Sequence, residues 1–206
     1  MNSTGAAMWH GFAVCVGGIS GVGKTTLLQR HVAGEPRDQQ MTGSSVIRQI
    51  IAPEGFEALD RWPSAQREQV REASIVRLAA MRAACPGRLL IDGHFTLRNR
   101  GTRALEPVFT PGDRGFYQAL VLVDAEAAQV TAQRMRGETR RQNETDAEIE
   151  AHLEFERAWA HRLHEQMGVP LLVIADADLE RRLAALREFL GRVAGTGGDS
   201  VDRADP

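Results

Sequence analysis

The sequence predicts an α/β fold in three layers, a mostly parallel sheet of about five strands with helices on both faces. Three observations carry that prediction. Four short apolar runs recur along the chain, each of strand length. Stretches with helical periodicity separate them, and this alternation is the pattern of a parallel sheet covered on both sides. The first run passes straight into a glycine-rich turn and then a helical stretch, as a βα unit does.

In chain order, Phe12–Gly17 is apolar enough for a strand buried on both faces. The segment from Thr26 to His31 has helical character, and Gly34 to Gln40 is polar and rich in turn formers. A short strand is expected near Gln40–Thr42 and a short helix at Ser44–Ile51. Ser64–Ala84 reads as a long amphipathic helix whose stripe is Val70, Ile75, Leu78, Ala79 and Met81. Pro63 stands at its start, with Pro86-Gly87 just past its end. Arg88–Asp92, Ala119–Val123 and Leu171–Ile174 are the remaining strands. Helices are expected at about Ala125–Arg136, Asp146–Met167 and Leu179–Val193.

A length of 206 residues suits one domain of ordinary size. That domain is placed at residues 12–194, with an arm at 1–11 and a disordered acidic tail at 195–206. The 25 basic and 27 acidic residues nearly cancel, and the tail alone, with Asp199, Asp202, Asp205 and Arg203, accounts for the net −2. A neutral body lacks the charge of a protein that coats nucleic acid, so nucleic acid is an unlikely partner. No apolar run reaches the roughly 20 residues that span a bilayer. With two unpatterned cysteines, Cys15 and Cys85, and no secretory signal, the expected compartment is the cytoplasm. Oligomeric state is left open.

Of the 25 basic residues, only Lys24 is a lysine. It belongs to Gly18-Ile-Ser-Gly-Val-Gly-Lys-Thr25, which fits the mononucleotide phosphate loop GxxxxGK[ST] between a strand and a helix. This makes the expected architecture a P-loop NTPase fold. Residues Gly18, Ser20, Gly21, Val22, Gly23, Lys24, Thr25 and Thr26 are the expected ATP cradle. Glycines let backbone N–H groups converge on phosphate oxygens, and the following helix adds its positive end. Lys24 is the expected catalytic cation, and the Thr25 hydroxyl an expected Mg²⁺ ligand.

Asp92 ends the second long strand, where ligands of parallel sheets bind. It is expected to hold Mg²⁺ or to orient an acceptor hydroxyl; the plainer alternative is a turn-forming Asp-Gly pair. His94 either meets the acceptor or shapes its loop. Arg98, Arg100 and Arg103 form a cationic cluster suited to an acceptor phosphate, or a solvated surface. Arg134-Met-Arg-Gly-Glu-Thr-Arg-Arg141 crowds four guanidinium groups into eight residues. Arg134 and Arg140 are the expected lid cations for phosphoryl transfer, with Arg136 and Arg141 behind them, over a lid at about 134–145. Favourable charge at a helix C-terminus explains part of the same cluster. Thr42, Ser44, Ser45, Arg48 and Arg61 complete the acceptor candidates.

The order of phosphate loop, Asp-x-His strand end and arginine lid resembles the archaeal-type adenylate kinases and their bacterial P-loop relatives. Gly18–Thr26, Ile91-Asp-Gly-His-Phe-Thr-Leu97 and Arg134–Arg140 carry the resemblance, which spans about Phe12 to Ala175. Thr42-Gly-Ser-Ser-Val46 matches the family's segment near the acceptor nucleotide. The resemblance implies a five-stranded parallel core, Mg-ATP as donor and a nucleoside monophosphate such as AMP as acceptor, with Ser44, His94 and Arg98 on the acceptor side. The lid here is one residue shorter, Asp-Gly-His replaces Asp-Thr-His, and Leu97-Arg-Asn-Arg-Gly101 replaces a lysine-bearing loop. The alternatives are a kinase acting on another hydroxyl, in a small metabolite or a hydroxymethylated base of phage DNA, and a regulatory ATP-binding protein or ATPase.

Overall fold

The computed structural model describes residues 11–136 and 144–195. Its centre is a five-stranded sheet formed by β1 (Phe12–Gly17), β2 (Gln39–Thr42), β3 (Arg88–Asp92), β6 (Ala119–Val123) and β7 (Leu171–Ile174), in the order β2-β3-β1-β6-β7. Every pairing is parallel. All of β6 and nearly all of β1 and β3 are buried, as strands with both faces covered must be.

Alternation along the strands sends side chains to two cores. Val14, Val16, Leu90, Val121 and Val123 face one core, closed by α1 (Lys24–Gly34) and α8 (Leu179–Gly195). Ala13, Cys15, Leu89, Ile91 and Leu120 face the other, closed chiefly by α4 (Ser64–Ala84). Helix α7 (Asp146–Met167) serves both, through Ile149 and Leu153 on one side and Ala160 and Leu163 on the other. Its ends are fixed by a Thr145–Glu148 capping box and by Gly168 in the left-handed conformation.

The remaining elements are α2 (Gly43–Ile50), α3 (Phe56–Leu59), the antiparallel hairpin β4 (Thr96–Arg98) and β5 (Leu105–Pro107), α5 (Pro111–Phe116) and α6 (Ala127–Arg136). The hairpin, α3 and α5 were not expected from sequence, because each is too short for periodicity to mark. Helix α5 did leave a start signal in Thr110-Pro-Gly-Asp113, an N-cap, a proline and an acid that together form a capping box. Helix α1 begins earlier than its apolar pattern, at Lys24, so Gly23 serves as its N-cap. Among the described residues, no helix is long and apolar enough to cross a membrane.

Neighbouring strands β1 and β3 end level, with Val16 opposite Asp92, and β2 ends beside them with Thr42 opposite Asp92. The chain leaves β1 toward β2 and leaves β3 toward β6, on opposite sides of the sheet. The crevice at this reversal is where open α/β sheets hold ligands.

Candidate functional site

Residues 18–25 wrap the tip of β1. Gly18, Gly21 and Gly23 all have φ between 92° and 138°, a region that side chains oppose. At Gly21 a Cβ would also stand 3.0 Å from Arg134 Cγ, so the loop and α6 approach through a missing side chain. The loop opens on a cavity of about 300 Å³ lined by Ser20, Gly21, Gly23, Lys24, Thr25 and Thr26, with Thr42 and Asp92 opposite. Gly18 and Val22 do not reach its surface. The Gly18 N–H donates to Glu156 Oε1 at 2.9 Å, and Val22 is buried in the core. Both shape the loop without facing the cavity.

Lys24 is 6% exposed and its Nζ donates to the carbonyls of Gly18 and Ile19, at 2.6 and 3.0 Å. Burial pulls its ammonium below the ordinary range, against the raising influence of Asp92 and Glu156. The Thr25 hydroxyl donates to Asp92 Oδ2 at 2.5 Å, which brings a hydroxyl and a carboxylate together on the cavity floor. Two hard oxygen donors beside a phosphate cradle fit Mg²⁺, which takes one or two protein oxygens and completes its shell with phosphate and water. No group of three or more acidic, His or Cys side chains able to hold a metal by itself occurs among the described residues.

A second cavity, of about 310 Å³, adjoins the first, and Ser20, Ser44 and His94 line both. Its exposed end carries Ser44, Arg48 and Arg100, with the two guanidinium groups 5.7 and 5.8 Å from the Phe56 ring centre. Its buried end is formed by Cys15, Ser74, Ile75, Leu78, Asp113 and Tyr117. Arg98 and Arg134 line it too, and a single carboxylate joins them. Glu144 lies 2.6 Å from Arg98 Nε and 2.6 Å from Arg134 Nη1. Arg134 Nε also donates to the Ser20 carbonyl of the phosphate loop at 2.9 Å.

Three expected acceptor residues stand elsewhere. Arg61 donates to the Glu57 carbonyl at the surface, and Arg103 pairs with Glu148. Ser45 turns its hydroxyl onto the Thr42 carbonyl, an internal bond of the turn into α2. Arg136 is exposed and lines neither cavity. Arg140, Arg141, most of the expected lid, the tail at 196–206 and most of the N-terminal arm lie outside the described residues.

Sequence reasoning passed over Glu156, Glu144, His152, Asp113 and Arg71. Glu156 is 1% exposed, and its carboxylate accepts from the N–H groups of Gly18, Phe95 and Thr96, at 2.9, 2.9 and 2.7 Å, and from the Thr96 hydroxyl. Burial pushes its carboxyl up, while these four donors favour the ionised form. It ties the phosphate loop to the segment after Asp92. The readable signal was an acid on the core stripe Ile149, Leu153, Glu156, Ala160, Leu163. His152, one turn earlier, is 6% exposed and shares a hydrogen bond with the Thr96 backbone; its Nε2 has no hydrogen-bond partner among the described residues. Burial, with Arg98 second, lowers its pKa to about 4, so the ring is neutral at pH 7.

A family model described as an AAA domain matches residues 17–151 of this sequence. The chain belongs to that family. No curated protein matches it. Among solved structures, shikimate kinase from Bacteroides thetaiotaomicron is similar with a TM-score of 0.60 at 14% identity, covering 87% of this chain and 98% of the other. Shikimate kinase from Acinetobacter baumannii in complex with shikimate has a TM-score of 0.58 at 12% identity, covering 92% and 97%. This AAA-domain chain therefore has the fold of a small P-loop kinase. The narrower likeness to archaeal-type adenylate kinases rests on the sequence motifs alone.

Proposed function

We propose that the protein is an ATP-dependent phosphotransferase that passes the γ-phosphoryl group of Mg-ATP to a nucleoside monophosphate. The observation that carries this reading is the meeting of two cavities, a phosphate cradle and an arginine-lined chamber, across Ser20, Ser44 and His94. Loop amides and the N-terminal end of α1 hold the donor phosphates, and Lys24 exchanges its two carbonyl partners for phosphate oxygens. Thr25 and Asp92 hold Mg²⁺, which supplies charge neutralisation on the phosphates when bound. Arg98 and Arg134 line the acceptor chamber, Arg134 bonded to the carbonyl of Ser20, which borders both cavities, and they offset the charge of the travelling group, while His94 and Ser44 contact the acceptor. Such transfer asks mainly for alignment and charge neutralisation, which these residues supply.

A second reading takes a small hydroxylated acid as acceptor. The Nε2 of neutral His152, unpartnered among the described residues, favours it, because a lone pair there accepts from an alcohol and repels a phosphate oxygen. The neighbour solved with shikimate is a protein with such an acceptor. The test is ADP release from Mg-ATP with and without nucleoside monophosphates, nucleosides and shikimate. The proposal expects release to rise strongly with a monophosphate and a diphosphate product to accumulate. Stimulation by shikimate or a nucleoside alone moves the reading to the hydroxyl acceptor. Slow hydrolysis indifferent to every acceptor refutes transfer and leaves a regulatory ATPase.

A further inference from the structure

One carboxylate of the acceptor cavity fills a place between two guanidinium groups that are held without it. The Glu144 side chain is 3% exposed, with one oxygen 2.6 Å from Arg98 Nε and the other 2.6 Å from Arg134 Nη1. The two arginines come from separate elements, the end of β4 and the last turn of α6. Arg98 Nη1 and Nη2 donate to the carbonyls of Arg103 and Glu148, at 3.1 and 2.9 Å. Arg134 Nε donates to the Ser20 carbonyl of the phosphate loop at 2.9 Å. Backbone oxygens therefore fix both guanidinium groups and leave Arg98 Nε and Arg134 Nη1 converging on one place.

A carboxylate fits that place imperfectly. Glu144 Oε2 accepts from Arg134 Nη1 at 2.6 Å. Arg98 Nε and Glu144 Oε1 are close but not aligned for a hydrogen bond, and each is buried without a hydrogen-bond partner among the described residues. A carboxylate is planar, so aligning it on one guanidinium turns its second oxygen off the line of the other. A phosphoryl group is tetrahedral and offers a third oxygen outside that plane. Charge points the same way. Two guanidinium groups against one carboxylate leave a net positive charge among mostly buried side chains, and a phosphate carries about two negative charges near pH 7.

We propose that the space between Arg98 and Arg134 is an oxyanion subsite for a phosphoryl group, and that Glu144 is its internal competitor, displaced when that group enters. This rests on the phosphotransferase reading above and deepens it. Glu144 stands just before Thr145, the N-cap of α7, so its side chain can turn away without unwinding the helix. With the phosphoryl group away, the carboxylate spares the fold two buried and unneutralised cations. It also lowers the apparent affinity for any anion, because binding must first displace it.

The test is calorimetric titration of inorganic phosphate into the protein saturated with Mg-ADP, which fills the phosphate loop. Glu144→Gln is expected to bind phosphate about tenfold more tightly than the parent, because the competing charge is gone. Unchanged or weaker binding makes Glu144 a strut for the two arginines and overturns the proposal. Arg98→Met added to Glu144→Gln is expected to abolish the gain, and a gain that survives places the phosphate elsewhere and overturns it too. Should Glu144→Gln not fold, as circular dichroism would show, Glu144→Ala is expected to give the same tightening and is judged by the same outcomes. If no acceptor is ever phosphorylated, the phosphotransferase reading fails, while the dependence of phosphate binding on Glu144 and Arg98 still decides the subsite.

Discussion

Replacing Glu156 by alanine strips four donors of their acceptor at once: the N–H groups of Gly18, Phe95 and Thr96 and the Thr96 hydroxyl. The hydroxyl can turn, but the amides belong to fixed backbone around a side chain 1% exposed. Each buried amide left unpaired costs about 1–3 kcal/mol. Alanine also removes the desolvation cost of the carboxylate, which offsets part of that loss. The net destabilisation is about 3–5 kcal/mol, a fall in Tm of roughly 10–15 °C for a chain of this length. Glu156→Gln keeps one acceptor oxygen but sets an NH₂ against two donors, so its loss is expected to be intermediate. Thermal unfolding followed by circular dichroism measures both. A Tm for Glu156→Ala within about 2 °C of the parent would show that those amides have other partners, and the tie between phosphate loop and acceptor segment would be refuted.

Lys24→Met is expected to keep the fold, since its ammonium bonds only to loop carbonyls, and to lower the rate of ADP release by at least about 100-fold. Parent-like turnover would remove Lys24 from the reaction. Gly21→Ala forces φ +99° on a residue with a Cβ and presses it against Arg134 Cγ, so a loss of about 1–3 kcal/mol is expected in chemical denaturation. Stability also depends on pH through His152. Its pKa falls from 6.5 unfolded to about 4 folded, so its contribution is present above 6.5 and lost as pH drops toward 4. Asp113, raised from 3.8 to about 6, acts with the opposite sign, because its folded form holds a proton that the unfolded chain has released. His152→Asn should therefore lose less stability than the parent between pH 7 and pH 4.5, and an equal loss in both refutes the assignment.

The donor half of the molecule was legible because its chemistry is local. A strand, GxxxxGKT and a helix occupy consecutive residues, so backbone geometry and side-chain type announce one another. Strands β3, β6 and β7 were readable to the residue because each is a continuous apolar run between turn formers, the mark of burial on both faces in β3 and β6, though β7 at the sheet edge leaves Val173 exposed. Asp92 followed from its place at a strand end. The acceptor half was harder to see because its parts come from α2, α4, the hairpin, α5 and α7, which sequence distance separates. Arg71 and Arg67 looked like any solvated pair on a long helix, yet both line a cavity. Arg61 and Arg103 looked no different and lie outside it. Glu156 shows the opposite case, an acid whose position on an apolar stripe marked it, had the stripe been checked for intruders.

The division between the two cavities has a consequence for how such a protein changes over generations. The phosphate cradle is built on the loop and helix that follow β1, with Thr42 and Asp92 from the ends of β2 and β3, on glycine conformations that few substitutions could keep. The acceptor chamber is furnished mostly by helices and a hairpin that rest against that sheet, with Cys15 and Ile91 contributed by its strands. Lineages can therefore trade one acceptor for another by exchanging residues at positions such as 48, 71, 100 and 113, while the machinery that handles the donor is inherited intact.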